Sequence, residues 1–141
     1  MPETIKIKGL ELRFLQSKDE TGGSLDMFEM IVQPNSRMPV AHHHENWEET
    51  IYGLSGVTSF RVDGRDLTVA PGETLFIPRG VVHAFRNDTQ EPATSLVVLT
   101  PGVLGPGYFR EVAALLSVEP PDLVKMKETM LRYGLVPVPG A

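Results

Sequence analysis

Apolar and polar residues alternate with a period of two along much of the chain between residues 5 and 100, and turn residues interrupt this alternation at short intervals. Because successive side chains of a β-strand point to opposite faces, the pattern predicts short strands that each bury one face. The first two, at 10–14 and 25–32, flank a turn at 19–23 and form a predicted hairpin. The 13 glycines and 12 prolines supply the turns of such a fold, so a β-sandwich or barrel is favoured over a helix bundle.

Later strands follow one another closely. The same alternation predicts them over 49–62, 67–69, 74–77, 81–86 and 95–100. Asp63 and Gly64, between the first two of these, are a strong signal for a tight turn. A chain of 141 residues suits a single core, so we predict one β-barrel domain over residues 1–104.

Two segments after Gly102 have the 3.6-residue period of amphipathic helices. Their apolar faces comprise Phe109, Val112, Ala113 and Leu116 in the first segment and Leu123, Met126, Met130 and Tyr133 in the second. Residues 120–122 are a helix start signal, and Gly134 lies where a helix commonly ends in a left-handed residue. We predict two short helices in a C-terminal extension over residues 105–141, packed on the barrel or on a partner subunit.

Composition and charge exclude several kinds of site and partner. Cysteine is absent, which excludes disulfides, thiolate metal ligands and cysteine nucleophiles. The net charge of -5 disfavours nucleic acid, and residues 108–133 hold four basic and four acidic side chains, too few cations for a DNA-reading helix pair. No secretory signal pattern and no apolar run of bilayer length are present. We therefore expect a soluble, cytoplasmic protein that binds neither nucleic acid nor membrane.

Three histidines and one glutamate form a predicted metal site. His42 and His44 lie two residues apart, so on a strand both imidazoles project from one side while His43 points to the other. Glu49 follows after a turn that returns the chain beside this pair, and His83 comes from a separate strand. We predict that His42, His44, Glu49 and His83 surround one cation.

The predicted donor set limits the choice of cation without fixing it. Imidazole nitrogens and a carboxylate oxygen suit divalent transition metals, and the absence of sulfur removes softness as a criterion. We favour Fe(II) or Mn(II), while Ni(II), Zn(II), Co(II) and Cu(II) also fit the donor set. Four protein ligands on an octahedral ion would leave two positions for water, substrate or dioxygen, which is what catalysis requires.

The sequences around these four residues form two motifs, one with His42, His44 and Glu49 and one with His83. They resemble the motifs of the cupin superfamily, specifically of a small single-domain cupin. The family's second motif, G-x5-P-x-G-x2-H-x3-N, is complete over residues 72–87, and its first, G-x5-H-x-H-x3,4-E-x6-G, departs over residues 36–56 only at Ser36, where the family has glycine. Glu49 is favoured over Glu48 as the acidic ligand. The motif requires a glycine after six intervening residues, which is Gly56 when counted from Glu49 but Ser55 when counted from Glu48. The remaining motif residues are interpreted as structural.

The resemblance implies a double-stranded β-helix, or jelly-roll barrel, with the cation inside near one open end. Such families include dioxygenases, isomerases, epimerases, decarboxylases and non-enzymatic sugar-binding or storage proteins, so the fold alone does not choose a function. Many small cupins are homodimers, and we expect a homodimer here.

Three apolar residues are candidates for a substrate pocket. Ile51 shares strand parity with Glu49, and Phe85 shares it with His83, so both should face the barrel interior beside the cation. Trp47 lies in the turn between His44 and Glu49 and could guard the mouth of the site or shield an edge. Filling of core volume is the alternative role for Ile51 and Phe85.

No second ionisable residue in the barrel pattern completes an acid/base pair, which weakens an epimerase hypothesis. A metal-centred oxidation demands less from the protein, so we expect a metal-dependent, non-haem dioxygenase that acts on a small, phenolic substrate. Two alternatives stay open: a non-catalytic cupin that binds or senses a small ligand, and a metal-dependent isomerase or decarboxylase. The sequence does not decide whether the protein is an enzyme.

Overall fold

A computed structural model describes residues 2–38 and 40–141 of the chain. Ten strands precede two helices and a final strand. The strands before the helices are β1 (Glu3–Ile7), β2 (Leu10–Gln16), β3 (Asp26–Val32), β4 (His42–His44), β5 (Glu48–Ser55), β6 (Thr58–Val62), β7 (Arg65–Val69), β8 (Thr74–Ile77), β9 (His83–Arg86) and β10 (Ala93–Thr100). The C-terminal elements are α1 (Pro106–Leu116), α2 (Leu123–Arg132) and β11 (Leu135–Pro137).

The strands form two antiparallel sheets that face each other. One sheet has the order β1-β2-β3-β10-β5-β8, and the other has the order β11-β4-β9-β6-β7. Strand β10 lies between β3 and β5, and β9 lies between β4 and β6, so distant parts of the sequence meet in both sheets. This arrangement confirms the predicted jelly-roll barrel with two short C-terminal helices.

Alternating side chains of the strands fill the space between the sheets. Along β3 every second residue from Asp26 to Val32 is buried, and the same period holds along β10. The largest fully buried apolar side chains include Trp47, Phe60 and Ile51. Burial of one face of each strand therefore stabilises the barrel, as the period-two pattern predicts.

The two helices begin at signals that the sequence carries. Pro106 lies in the first turn of α1, where its missing N–H is not needed, and Gly105 precedes it with a φ of 73° that favours glycine. The Asp122 carboxylate caps α2 by accepting from the backbone N–H groups of Val124 and Lys125. Neither helix that the structure describes has the length and hydrophobicity needed to cross a membrane.

The chain returns to the barrel after α2. Strand β11 pairs antiparallel with β4, with Leu135 opposite His44 and Pro137 opposite His42. This strand was not predicted, because three residues are too few to show an alternating pattern. As a result β4, the strand of the three histidines, has hydrogen-bonded neighbours on both sides.

Candidate metal centre

His42, His44 and His83 project from neighbouring strands into the barrel interior. His42 on β4 pairs directly with His83 on β9, and His44 lies two residues further along the same face. All three side chains are buried, with 8 %, 4 % and 3 % of their surface exposed. Glu49 on β5 reaches the same point from the opposite sheet and is also largely buried.

The predicted ligand atoms lie close to one another. The Nε2 atoms of His42 and His44 are 3.2 Å apart. Oε1 of Glu49 lies 3.6 Å from Nε2 of His44 and 3.7 Å from Nε2 of His83. One nitrogen from each of the three histidines falls within 4.8 Å of the others, a grouping that could hold a metal ion.

These separations fit the size of a first-row transition ion. Ligand atoms about 2.1 Å from an ion are about 3.0 Å apart at adjacent octahedral positions and about 3.4 Å apart in a tetrahedron. The observed distances of 3.2 to 3.7 Å lie close to these two values. Nitrogen and carboxylate donors therefore converge with the spacing that one cation requires.

Neighbouring groups orient two of the imidazoles. Nδ1–H of His83 donates to the backbone oxygen of Val81 at 3.0 Å, which leaves the Nε2 lone pair directed at the centre. The ring of His44 stacks on Trp47, with centroids 4.7 Å apart and planes inclined by 19°. Such contacts fix ring orientation, so the site is largely formed before any ion enters.

The histidines differ in protonation. Burial, reinforced by the nearby charge of His83, lowers the pKa of His42 to about 3. Burial, reinforced by the charges of His42, His83 and His43, also lowers the pKa of His44. Burial opposes protonation of His83 as well, but the hydrogen bond and charge of Glu49 outweigh it and raise that pKa. Two imidazoles are therefore neutral donors, whereas Glu49 favours the protonated form of His83, and a cation would compete with that proton.

Glu48 and His43, the neighbours of predicted ligands, face away from the centre. Glu48 forms an ion pair with Arg79 near the barrel surface. His43 pairs with Val136 on the neighbouring strand β11, and it points to the opposite face from His42 and His44. Strand parity thus brings Glu49, and not Glu48, to the three histidines.

An internal cavity of about 90 Å³ adjoins the four side chains. This volume corresponds to roughly six water molecules at about 15 Å³ each, which suits a small ligand. Apart from the four predicted ligands its wall is apolar or aromatic. The wall residues include Leu12, Phe28, Met30, Met38, Phe85, Leu99, Leu104, Tyr108, Phe109, Val112, Met126, Met130 and Leu135.

Two of the three predicted pocket residues line this cavity. Phe85 and Trp47 belong to its wall, and both are buried. Ile51 is also fully buried, but it lies in the core and is not part of the wall. Position 53 on the same strand leaves no extra space for a ligand, because a Cβ at Gly53 would collide with the backbone oxygen of Ala70.

The C-terminal segment forms part of the cavity wall, and it contributes a polar residue that the sequence did not single out. Tyr108 on α1 is 5 % exposed and lines the cavity together with the predicted ligands. It shares a helical face with Val112 and Leu116, four and eight residues later, and this spacing is the signal that indicates its burial. Its place in the cavity wall depends on how α1 packs, which the helical period does not specify.

The other residues of the two motifs shape the backbone. The side-chain amide of Asn87 donates to the backbone oxygens of Val32 and Glu91, and its oxygen accepts from Thr89. Ser36 packs so closely against Gly9 that a Cβ at position 9 would overlap its side chain. Asn87 thus ties down the loop that follows β9, which agrees with the interpretation of these motif residues as structural.

Comparison with known proteins identifies one family model. The model described as a cupin domain matches residues 28–99, just over half of the chain. Quercetin 2,3-dioxygenase of Bacillus subtilis is 37% identical over 78 residues, which are 55% of this chain and 22% of that enzyme. This chain therefore spans less than a quarter of that relative's length.

Two solved structures share the fold. A predicted oxalate decarboxylase from Thermotoga maritima superposes with a TM-score of 0.63 and 26% identity, over 72% of this chain and 92% of that one. The polyketide cyclase RemF from Streptomyces resistomycificus gives a TM-score of 0.61 and 31% identity, over 71% and 72% of the two chains. Similar barrels thus carry different chemistries, and the site must distinguish among them.

Proposed function

This chain belongs to the cupin domain family, and on that premise we propose that it is a metal-dependent dioxygenase for a small, phenolic substrate. His42, His44, Glu49 and His83 would hold one divalent ion, with Fe(II) or Mn(II) favoured. The bound ion would supply Lewis acidity and open coordination positions for an oxygen-bearing substrate.

One observation carries the proposal: the converging donor set opens into a mainly apolar cavity. Such a wall excludes water from the reacting atoms and favours a hydrophobic ring over a sugar or a polyol. Phe85 and Trp47 supply aromatic surface beside the histidines. The similarity of about half the chain to the B. subtilis quercetin 2,3-dioxygenase supports the same reaction class.

The protein's own groups have distinct tasks in this proposal. His42 and His44 act as neutral donors because burial disfavours their protonated forms. The carboxylate of Glu49 raises the pKa of His83, so a bound cation would compete with the proton of this imidazole. The apolar wall holds the ring of the substrate and excludes competing hydrolysis.

Oxygen consumption tests the proposal directly. Protein loaded with Fe(II) or Mn(II) would be incubated with catechols, flavonols and β-diketones while oxygen uptake and bound metal are both measured. We expect uptake with at least one phenolic compound and none with a His83→Ala variant, which loses a donor. If no compound supports uptake while the wild-type protein retains its metal, the dioxygenase proposal is wrong.

A second candidate is a non-oxidative isomerase or decarboxylase. It is favoured by Tyr108, an interior phenol of the kind that acid/base chemistry requires and that the barrel strands themselves lack. The candidate predicts product formation from a keto acid under strict anaerobiosis, whereas the dioxygenase requires oxygen. Ligand-induced thermal stabilisation without any turnover would instead indicate a binding or sensory protein.

A further inference from the structure

A surface groove of about 220 Å³ adjoins the apolar cavity. Its wall comprises Ile7, Lys8, Leu10, Arg37, Met38 and Leu116, of which Ile7, Leu10 and Met38 also line the cavity. We infer that this entrance groove leads into the cavity, and that Arg37 binds the carboxylate of a ligand whose aromatic ring lies inside. The inference rests on the proposed function only for the identity of this ligand as the substrate, and it adds the charged group of the substrate and the residue that selects it.

Met38 lies between the cavity and the surface. It lines the cavity and the entrance groove, and also a second groove of about 290 Å³ that shares Val40 and Phe85 with the cavity. The residue is partly exposed, and an unbranched methionine side chain adapts its shape at low cost. A ligand can therefore pass from the entrance groove into the cavity by displacing one flexible side chain.

Both grooves are lined by cations. Lys8 and Arg37 line the entrance groove, and Arg37, Arg61 and Arg86 line the second groove. Among the described residues neither wall contains an aspartate or a glutamate, although the chain as a whole has 18 acidic and 13 basic residues. The walls around Met38 therefore have the opposite sign to the net charge of the chain, and they attract anions.

Arg37 is the cation of this set that has no ion-pair partner in the part of the chain that the structure describes. The other three are paired, Lys8 with Glu119, Arg61 with Asp66 and Arg86 with Asp88. An antiparallel bridge holds the backbone of Arg37 opposite Arg86, and like charges at such positions repel each other. A bound anion would offset this repulsion, and the planar guanidinium of Arg37 matches the two oxygens of a carboxylate.

Lys8, in the turn between β1 and β2, adds a second charge at the entrance groove. Its φ of 55° lies in the left-handed region that favours glycine, so a lysine here costs backbone energy. Such strain is commonly retained at binding sites. Both members of its ion pair with Glu119 are more than half exposed, so the pair contributes little to stability and a ligand carboxylate can replace it.

The cavity and the entrance groove together select an aromatic acid. A carboxylate would lose its hydration against the carbon of the cavity wall, so the charged group stays in the groove while the ring enters the cavity. A neutral phenol offers no charge to Arg37, and a sugar acid would leave its hydroxyl groups unpaired against carbon. 3-Phenylpropionate, a ring joined to a carboxylate by a short linker, is a simple probe of this class, and 3-phenylpropionamide is its uncharged counterpart.

Ligand binding to chelator-treated protein tests the inference separately from any metal. Trp47 is the only tryptophan and lines the cavity, so its fluorescence reports entry of the ring. Wild-type, Arg37→Glu and Arg65→Glu proteins would be titrated with both compounds, and thermal unfolding would be measured for each protein. Arg65→Glu is the matched control, because Arg65 is also exposed but lies outside both groove walls.

We expect Arg37→Glu to raise the Kd for 3-phenylpropionate about 5- to 10-fold, because a repulsion replaces an attraction, and to change the Kd for the amide less than about twofold. Arg65→Glu should change both constants less than about twofold, since it alters the net charge equally but not the groove. A loss shared by the acid and the amide, or equal losses in the two variants, would overturn the role of Arg37.

The wild-type protein tests the ligand class and the route into the cavity. Binding of the acid no tighter than that of the amide would overturn the ligand class, and fluorescence unchanged by either compound would overturn entry of the ring. These outcomes leave the metal-dependent reaction standing. Absence of oxygen uptake by metal-loaded protein would instead overturn the proposed function and leave binding of the acid at the entrance groove intact.

Discussion

Glu49 and Glu48 are adjacent glutamates with opposite environments. Glu49 lies within 4 Å of two histidine nitrogens in the interior, and Glu48 pairs with Arg79 near the surface. The same substitution can therefore be made at Glu49, inside the predicted site, and at Glu48, outside it, on neighbouring positions of one strand.

Glu49→Gln should weaken metal binding by at least about 10- to 100-fold, because an amide oxygen is a poorer donor than a carboxylate. Glu48→Gln should change metal affinity less than about twofold, since exposed ion pairs contribute little. Competition with a chromophoric chelator measures both affinities. Equal affinities for the two variants would show that Glu49 is not a ligand.

The buried histidines make the stability of the metal-free protein depend on pH. The pKa values of His42 and His44 are lowered from 6.5, so below pH 6.5 the unfolded chain binds more protons than the folded one. Stability at these two sites therefore falls as pH falls. His83 acts in the opposite sense: its raised pKa gives a contribution that is complete below pH 6.5 and is lost as pH rises through the folded value.

We expect the free energy of unfolding of the metal-free protein to fall by about 1 to 2 kcal/mol per pH unit below pH 6.5. His42 and His44, whose pKa values are lowered, cause this fall, whereas the contribution of His83 no longer changes in this range. Urea unfolding of chelator-treated protein between pH 4.5 and 8 measures it. His42→Gln should reduce the slope by removing one of the two groups. A slope unchanged in that variant would contradict the role given to His42.

Asp26 joins strand β3 to the start of helix α1, and so it supports the part of the cavity wall that α1 supplies. The carboxylate is fully buried and accepts two backbone N–H groups from distant segments. Asp122, at the start of α2, also accepts two backbone N–H groups but is exposed. The two aspartates thus permit one substitution in a buried and in an exposed setting.

Asp26→Asn should destabilise the fold by about 2 to 3 kcal/mol, because its amide group can accept at one atom only and places N–H against N–H at the other. Asp122→Asn should cost less than about 0.5 kcal/mol, since Asn is an equally good helix cap. Denaturant unfolding gives both values. A cost for Asp26→Asn as small as that for Asp122→Asn would show that the contact does not hold α1.

Elements with long periodic patterns were predictable, and elements defined by distant contacts were not. Most strands and both helices follow from periods that extend over several residues, but β11 does not, and the single run predicted over 49–62 is divided into β5 and β6, which lie in different sheets. The convergence of His42, His44, Glu49 and His83 follows from motif spacing and strand parity. The place of Tyr108 depends on a contact between residues 79 positions apart, which no local pattern encodes. Strand parity also could not decide whether Ile51 lines the cavity or packs in the core, because both lie in the barrel interior.

The whole molecule exposes an apolar area on the outer face of one sheet. Tyr52, Leu54 and Phe76, on the neighbouring strands β5 and β8, are 44 %, 40 % and 56 % exposed. Thr50 and Thr74 lie beside them without a charge, and the one glutamate among the outward positions of these two strands, Glu48 at the start of β5, is paired with Arg79. A twofold contact places the same patch against itself, so an uncharged patch on a chain of net charge -5 suits a second copy of this chain.

We propose that the homodimer forms through this patch. Phe76→Lys should convert the dimer to a monomer, because it places two like charges in the contact, and Leu131→Lys on the exposed face of α2 should not. Light scattering during gel filtration measures the mass of each protein. A Phe76→Lys variant that remains dimeric would place the interface elsewhere.

The pairing of β11 with β4 has a consequence for biosynthesis. The histidine strand is complete early in translation, but its outer neighbour consists of residues 135–137 and leaves the ribosome long afterwards. Until then β4 lacks its hydrogen-bonded neighbour on one side, and the helices that line part of the cavity are absent. The histidine strand therefore gains its second neighbour, and the cavity its helical lining, only after residues 105–137 have been translated.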